Sequence, residues 1–238
     1  MLRALAHPLS LLVLLGSFVV GITLHGWVQV QLAGRLGDRR PHAEGRTAFD
    51  PRQQLDPFGT LAALLSGLGW AKPVELLAGA HRRTAQLVVA LAGPAVNLAL
   101  GVAALVTWRV AYGPIGSAQG GFTAAVADQI GAAYFLENGA SFSFAGLSTA
   151  LFLFGCSQLY LGALSLLPLP PLDGGRLLFA LGPRSVGWQR AEYQLVERNI
   201  GIVAVLVLLV IPLGGSVPLL PQLLDTVLHP LIAAVCVA

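Results

Sequence analysis

The stretch Ile22-Thr23-Leu24-His25-Gly26-Trp27-Val28-Gln29-Val30-Gln31-Leu32-Ala33-Gly34-Arg35-Leu36-Gly37-Asp38 closes a long uncharged run that begins after Arg3. The run from about Leu11 to Gly34 is long enough, at about 1.5 Å per helical residue, to cross about 30 Å of hydrocarbon. It also carries a polar row. Gly21, His25 and Gln29 are four residues apart and share one face of a helix. Polar side chains at membrane depth are costly and face a protein interior or a wet cavity. The helix therefore has neighbours, and the rest of the chain has to supply them.

It does. The chain has 238 residues, 55% hydrophobic and only 11% charged, with a mean hydropathy of +0.75. Soluble domains carry about 25% charged residues. The composition predicts an all-α, polytopic membrane protein with about four to six transmembrane helices, forming one domain over residues 1–238. A net charge of +3 gives no reason to expect nucleic acid; the expected surroundings are a lipid bilayer, and the expected location is a bacterial plasma membrane. Cys156 and Cys236 lie in apolar segments and make neither a disulfide framework nor a C-x-x-C motif. The leucine-rich start runs past the usual length of a signal peptide core and shows no A-x-A cleavage pattern, so it reads as part of the first span.

Outward from the first span, Leu36–Pro57 is a polar, arginine-bearing loop. Phe58–Trp70 is apolar but too short to cross, and reads as re-entrant or interfacial. Thr84–Trp108 and Phe144–Leu167 are spans, separated by a glycine-rich stretch, Gly113–Ser143. An amphipathic stretch follows to Arg198, and the C-terminal hydrophobic helices occupy about 200–238. Prolines 212, 218 and 221 leave open whether that region crosses once or twice. Five basic residues lie in Arg35–Arg52, three in Lys72–Arg83 and four in Arg176–Arg198; of the 14, only Arg3 and Arg109 lie elsewhere. The positive-inside rule puts those three loops in the cytoplasm. His25 and Asp173 then both lie toward the cytoplasmic end.

Three places offer chemistry. Zinc-protease helices use H-E-x-x-H, two imidazoles on the metal with a glutamate base beside the first. Here those positions read His25, Gly26, Trp27, Val28, Gln29. In Leu166-Leu167-Pro168-Leu169-Pro170-Pro171-Leu172-Asp173-Gly174-Gly175 the prolines end a helix and should leave Asp173 on irregular backbone, either as a third metal ligand or as a turn aspartate. Gly93, Asn97 and Gly101 share a face of another span. Asn97 there is either an interhelical bond or a polar group aimed at a substrate.

These stretches, in this order, resemble the site-2 protease family of intramembrane zinc metalloproteases. Leu24-His25 through Gly37-Asp38 resembles the family's catalytic helix, Asp56-Pro57-Phe58-Gly59 its Asp-Pro-x-Gly segment, and Gly69-Trp70-Ala71-Lys72-Pro73-Val74 a family phrase. Ala92-Gly93-Pro94 through Asn97 resembles its Gly-Pro-x-x-Asn helix, and Leu167-Pro168 through Asp173-Gly174-Gly175 the segment of the third ligand. The resemblance covers roughly residues 20–180. It implies zinc between His25 and Asp173, substrate binding at Asn97, and cleavage of membrane-embedded segments of other proteins.

The departures fall on the chemistry. Gly26 stands where the general base should be and cannot take a proton. Gln29 stands where the second imidazole should be, and an amide oxygen is a weak zinc donor. Ser165 replaces the family asparagine before the Leu-Leu-Pro run. Catalytic zinc has three strong protein ligands and an open position; His25 and Asp173 make two. The expectation is a degraded site, with zinc absent or weakly bound at His25, Asp173 and Gln29. Such a pseudoprotease would act on a membrane-protein client or a partner transmembrane helix. An active protease with unorthodox ligands and a small-solute or ion carrier are the alternatives. His42 and Glu44 are candidates for rescuing the site, and Arg39, Arg40 and Arg46 around them read as a solvated loop. His81 reads as interfacial, and Asp225 with His229 as an interfacial pair or packing contact. Gly26→Glu together with Gln29→His is the combination expected to have a prospect of cutting.

Overall fold

The computed structural model describes residues 8–74, 76, 82–113, 146–183, 185–212 and 218–236. The Gly113–Ser143 stretch beyond Gly113 and His81 lie outside the described residues. The described residues form helices α1 (Pro8–Arg35), α2 (Arg40–Ala43), α3 (Pro51–Gln54), α4 (Pro57–Ser66), α5 (Arg82–Tyr112), α6 (Gly146–Ser165), α7 (Asp173–Leu181), α8 (Val186–Glu192), a π-helical turn (Tyr193–Glu197), α9 (Ile200–Val210) and α10 (Leu219–Cys236). Among them are no strands, only one isolated bridge between Leu55 and Ala71. The protein is an all-α polytopic membrane protein.

Among the described residues, three helices are long and apolar enough to cross a membrane: Leu11–Arg35 of α1, Arg83–Tyr112 of α5, and α10; the bent pair Val186–Glu197 and Ile200–Val210 would make a fourth if it acts as one span. The 20-residue α6 packs between the first two. Helix α9 has 11 residues, about 16 Å at about 1.5 Å each, roughly half a hydrocarbon core. It enters at 65° to the segment before it. The open question at the C-terminus thus resolves in part: α10 is long enough to cross and α9 alone is not.

The bundle is held where small residues let backbones approach. A Cβ on Gly155 of α6 would lie 2.8 Å from Leu105 of α5, and one on Gly101 of α5 would lie 2.7 Å from Leu159 of α6. Each leucine sits over the other helix's glycine, the close packing by which helices associate where lipid offers no hydrophobic drive. Gln158 of α6 lies over Gly21 of α1 and donates to the Ser17 carbonyl at 2.8 Å. Leu220, Leu224, Leu228, Ile232 and Cys236 form a buried i, i+4 stripe on α10 that closes the same core as Trp108, Phe152 and Tyr160. Asp225 takes the Tyr160 hydroxyl as its donor.

The loop after α1 differs from the expectation of a solvated arginine loop. Arg39 and Arg40 are exposed, but Arg46 is buried. Its guanidinium donates to the carbonyls of Pro73 and Lys72, both at 2.9 Å, so neutral acceptors replace water. Trp27 Nε1 and Gln31 Nε2 of α1 each donate to the Thr47 carbonyl at 3.1 Å. Asp56 caps α4 by accepting from Gly59 N at 2.7 Å, and Gly59 lies against the Trp70 backbone. The loop, α4 and the segment through Val74 are thereby packed onto α1.

Orientation is testable with single cysteines in a Cys-free variant, at exposed Arg40 and exposed Ala111. With the basic loops inside, an impermeant thiol reagent on intact cells labels position 111 and not 40; the reverse pattern means the opposite topology.

Candidate functional site

Four residues singled out in the sequence meet where α1, α5 and the start of α7 come together. His25 and Gln29, one turn apart on α1, both reach Asp173. His25 Nε2 lies 2.8 Å from Asp173 Oδ2, and Gln29 Nε2 donates to Asp173 Oδ1 at 2.9 Å. Asn97 Nδ2 of α5 lies 3.3 Å from His25 Nδ1. With Nδ1 accepting from the asparagine and Nε2–H donating to the carboxylate, both contacts suit the Nε2–H tautomer. Arg176, one turn into α7, approaches Asp173 Oδ1 at 3.3 Å. All but Arg176 are buried.

Local sequence explains each placement. Pro168, Pro170 and Pro171 end α6 and turn the chain. Asp173 does not stay on irregular backbone, as the prolines suggested. It is the first residue of α7, because the turn that contains Pro170 and Pro171 closes with Leu172 N donating to Leu169 O at 2.9 Å and the helix starts directly after it. Gly93 completes the site: a Cβ there would overlap the His25 ring, so the glycine is what lets the imidazole lie on α5. Burial disfavours the Asp173 carboxylate; the hydrogen bonds from His25 and Gln29 and the nearby Arg176 guanidinium offset that cost.

The remaining candidates lie elsewhere. His42 packs its ring on Gly34, some 13 Å along α1 from His25 at about 1.5 Å per residue. Glu44 is half exposed, 4.0 Å from Arg46. Ser165 returns its hydroxyl to the Leu161 carbonyl at 2.8 Å. The neighbourhood of Gly26 is occupied by Gln54, a residue to which no motif or spacing pointed.

As a zinc site this donor set is a poor fit. The strong donors are one imidazole and one carboxylate, and each is spent on the other. The third position offers an amide that presents its N–H to the carboxylate rather than its oxygen to a metal. A guanidinium beside the same carboxylate adds positive charge where a cation would sit. Among the described residues no group of three or more His, Cys, Asp or Glu side chains is placed to hold a metal ion.

The family model described as Peptidase family M50 matches residues 52–211, which include Asn97 and Asp173 and begin after the helix of His25. A protein of Bacillus subtilis (strain 168) named "Putative zinc metalloprotease YwhC" is 34% identical over 231 residues, covering 95% of this chain and 94% of its own. No solved structure matches.

Two substitutions test the geometry. Asp173→Ala strips the acceptor from His25, Gln29 and Arg176, and should cost about 3–5 kcal/mol, as expected for a broken buried pair. Gly93→Ala should cost about 1–3 kcal/mol by forcing the His25 ring off α5. Unfolding of the purified protein in detergent measures both; a wild-type midpoint for either variant is incompatible with the arrangement.

Proposed function

The chain belongs to peptidase family M50, the site-2 protease family, and we propose that it is a non-catalytic member, a pseudoprotease that holds or regulates a membrane-protein client. It is an integral membrane protein whose spans suit a bacterial plasma membrane. The family's chemistry is zinc-dependent peptide hydrolysis: a metal-bound water of lowered pKa, and a base to move its proton. The observation that carries the reading is the direct His25–Asp173 contact at 2.8 Å with Gln29 on the other carboxylate oxygen. The imidazole and the carboxylate are hydrogen-bonded to each other, and the third position supplies an amide N–H to the carboxylate in place of an imidazole lone pair.

The scaffold that presents the site is intact. Asn97 reaches the centre, and its Oδ1 is buried with no hydrogen-bond partner among the described residues. A buried acceptor of this kind favours a donor brought by another molecule, such as a backbone N–H of a client segment. This supports binding without cutting. The client is a transmembrane or near-membrane segment, or a partner helix.

Metal analysis and a cleavage assay test the proposal together. The purified chain, exposed to zinc and desalted, should hold far less than one zinc per chain and cleave no client above background. Gln29→His supplies the missing imidazole and should raise zinc retention without activity, since absence of a base alone costs about 10²–10⁴ in rate. One zinc per chain with client cleavage, both lost in His25→Ala, would mean the protein is a working protease.

A further inference from the structure

Gly26 is buried on α1, and the space its side chain would enter is taken. A Cβ built on it would lie 2.5 Å from Gln54 Oε1, 3.1 Å from Gln54 Cδ and 3.2 Å from Gln54 Cβ. Gln54 comes from α3, across the loop that follows α1, and is fully buried. Its amide is fastened at both polar atoms: Arg46 Nη2 donates to Oε1 at 3.0 Å, and Nε2 donates to the Arg46 carbonyl at 3.1 Å. Its own carbonyl accepts from Lys72 N at 2.8 Å. Arg46 is in turn anchored on the carbonyls of Lys72 and Pro73. The end of Gln54 that meets Gly26 is therefore not a loose tip that swings aside.

We infer that Gln54, held by Arg46, occupies the place beside His25 that a general base would take, and that Gly26 and Gln54 are a matched pair. The glycine makes the room and the loop fills it with a neutral amide. Gln54 is a positioning residue here, and Arg46 positions it. The inference rests on the non-catalytic reading for its meaning and deepens it: the base is replaced by a different group from a different element. A glutamate at 26 would run into Gln54, so the Gly26→Glu and Gln29→His combination also needs a change at Gln54 to have its prospect of cutting.

The test is a double-mutant cycle on the full chain in detergent, read as melting temperature. Alanine for glycine inside a helix ordinarily helps, and at Gly16 of the same helix a Cβ would meet nothing within 4 Å. Gly16→Ala should leave the melting temperature unchanged or raise it. Gly26→Ala should lower it by about 2–4 °C or more. In a Gln54→Ala background the same Gly26→Ala change should lower it no further, or raise it. An equal drop at Gly26 in both backgrounds overturns the inference, as does a drop at Gly16 as large as that at Gly26. If Gln54→Ala does not fold, Gln54→Asn, with its shorter reach, takes its place with the same expected and overturning results. The cycle is blind to metal and cleavage. Additive effects would remove the matched pair and leave the non-catalytic reading standing, whereas zinc with cleavage would remove that reading and leave the cycle intact.

Discussion

A carboxylate buried near membrane depth has to be satisfied from within the protein, and Asp173 is satisfied three times over. Removing an ion from water costs several kcal/mol even after relaxation. The return comes from His25 on one oxygen and from Gln29 and Arg176 on the other. Two of these donors stand one turn apart on α1, and the imidazole is backed by Gly93 and Asn97 of α5. One carboxylate thus fixes α1, α5 and α7 relative to one another. The same contacts use both oxygens of the carboxylate within the chain.

Much of this was legible in the sequence because it is periodic or punctuated. The Gly21–His25–Gln29 row announced a polar face, and the charge-free spans and basic loops announced a membrane protein. The proline cluster marked where α6 stops and Asp173 follows. What the sequence did not show was long-range and aperiodic. Gln54 sits in a polar loop with nothing in its spacing to set it apart, and its role exists only because α3 folds back to Gly26. Arg46 read as a solvated cation because arginines in loops usually are. Its burial depends on backbone carbonyls, which no residue pattern advertises. Gly93 was visible as a small residue, but only the fold shows that the group needing the space is the His25 ring.

The two departures from H-E-x-x-H differ in kind. Gln29 keeps a polar group in place and changes only what it offers: an N–H toward the carboxylate. Gly26 deletes its side chain, and another element fills the gap. Both solutions leave the interior packed and the amide hydrogen-bonded, which is what a bilayer environment demands of buried polar groups.

The Thr47 carbonyl, which takes one bond from Trp27 and another from Gln31, has a mechanical consequence. Successive helical residues point about 100° apart, so rotation of α1 about its axis by a single position would swing both donors away from their one acceptor. The strap works as a key in a slot: α1 cannot roll without dragging the loop, and the loop cannot lift without freeing the helix to roll. Since the same helix aims His25 and the same loop carries Gln54, a force applied to the exposed face of that loop is a torque on the site.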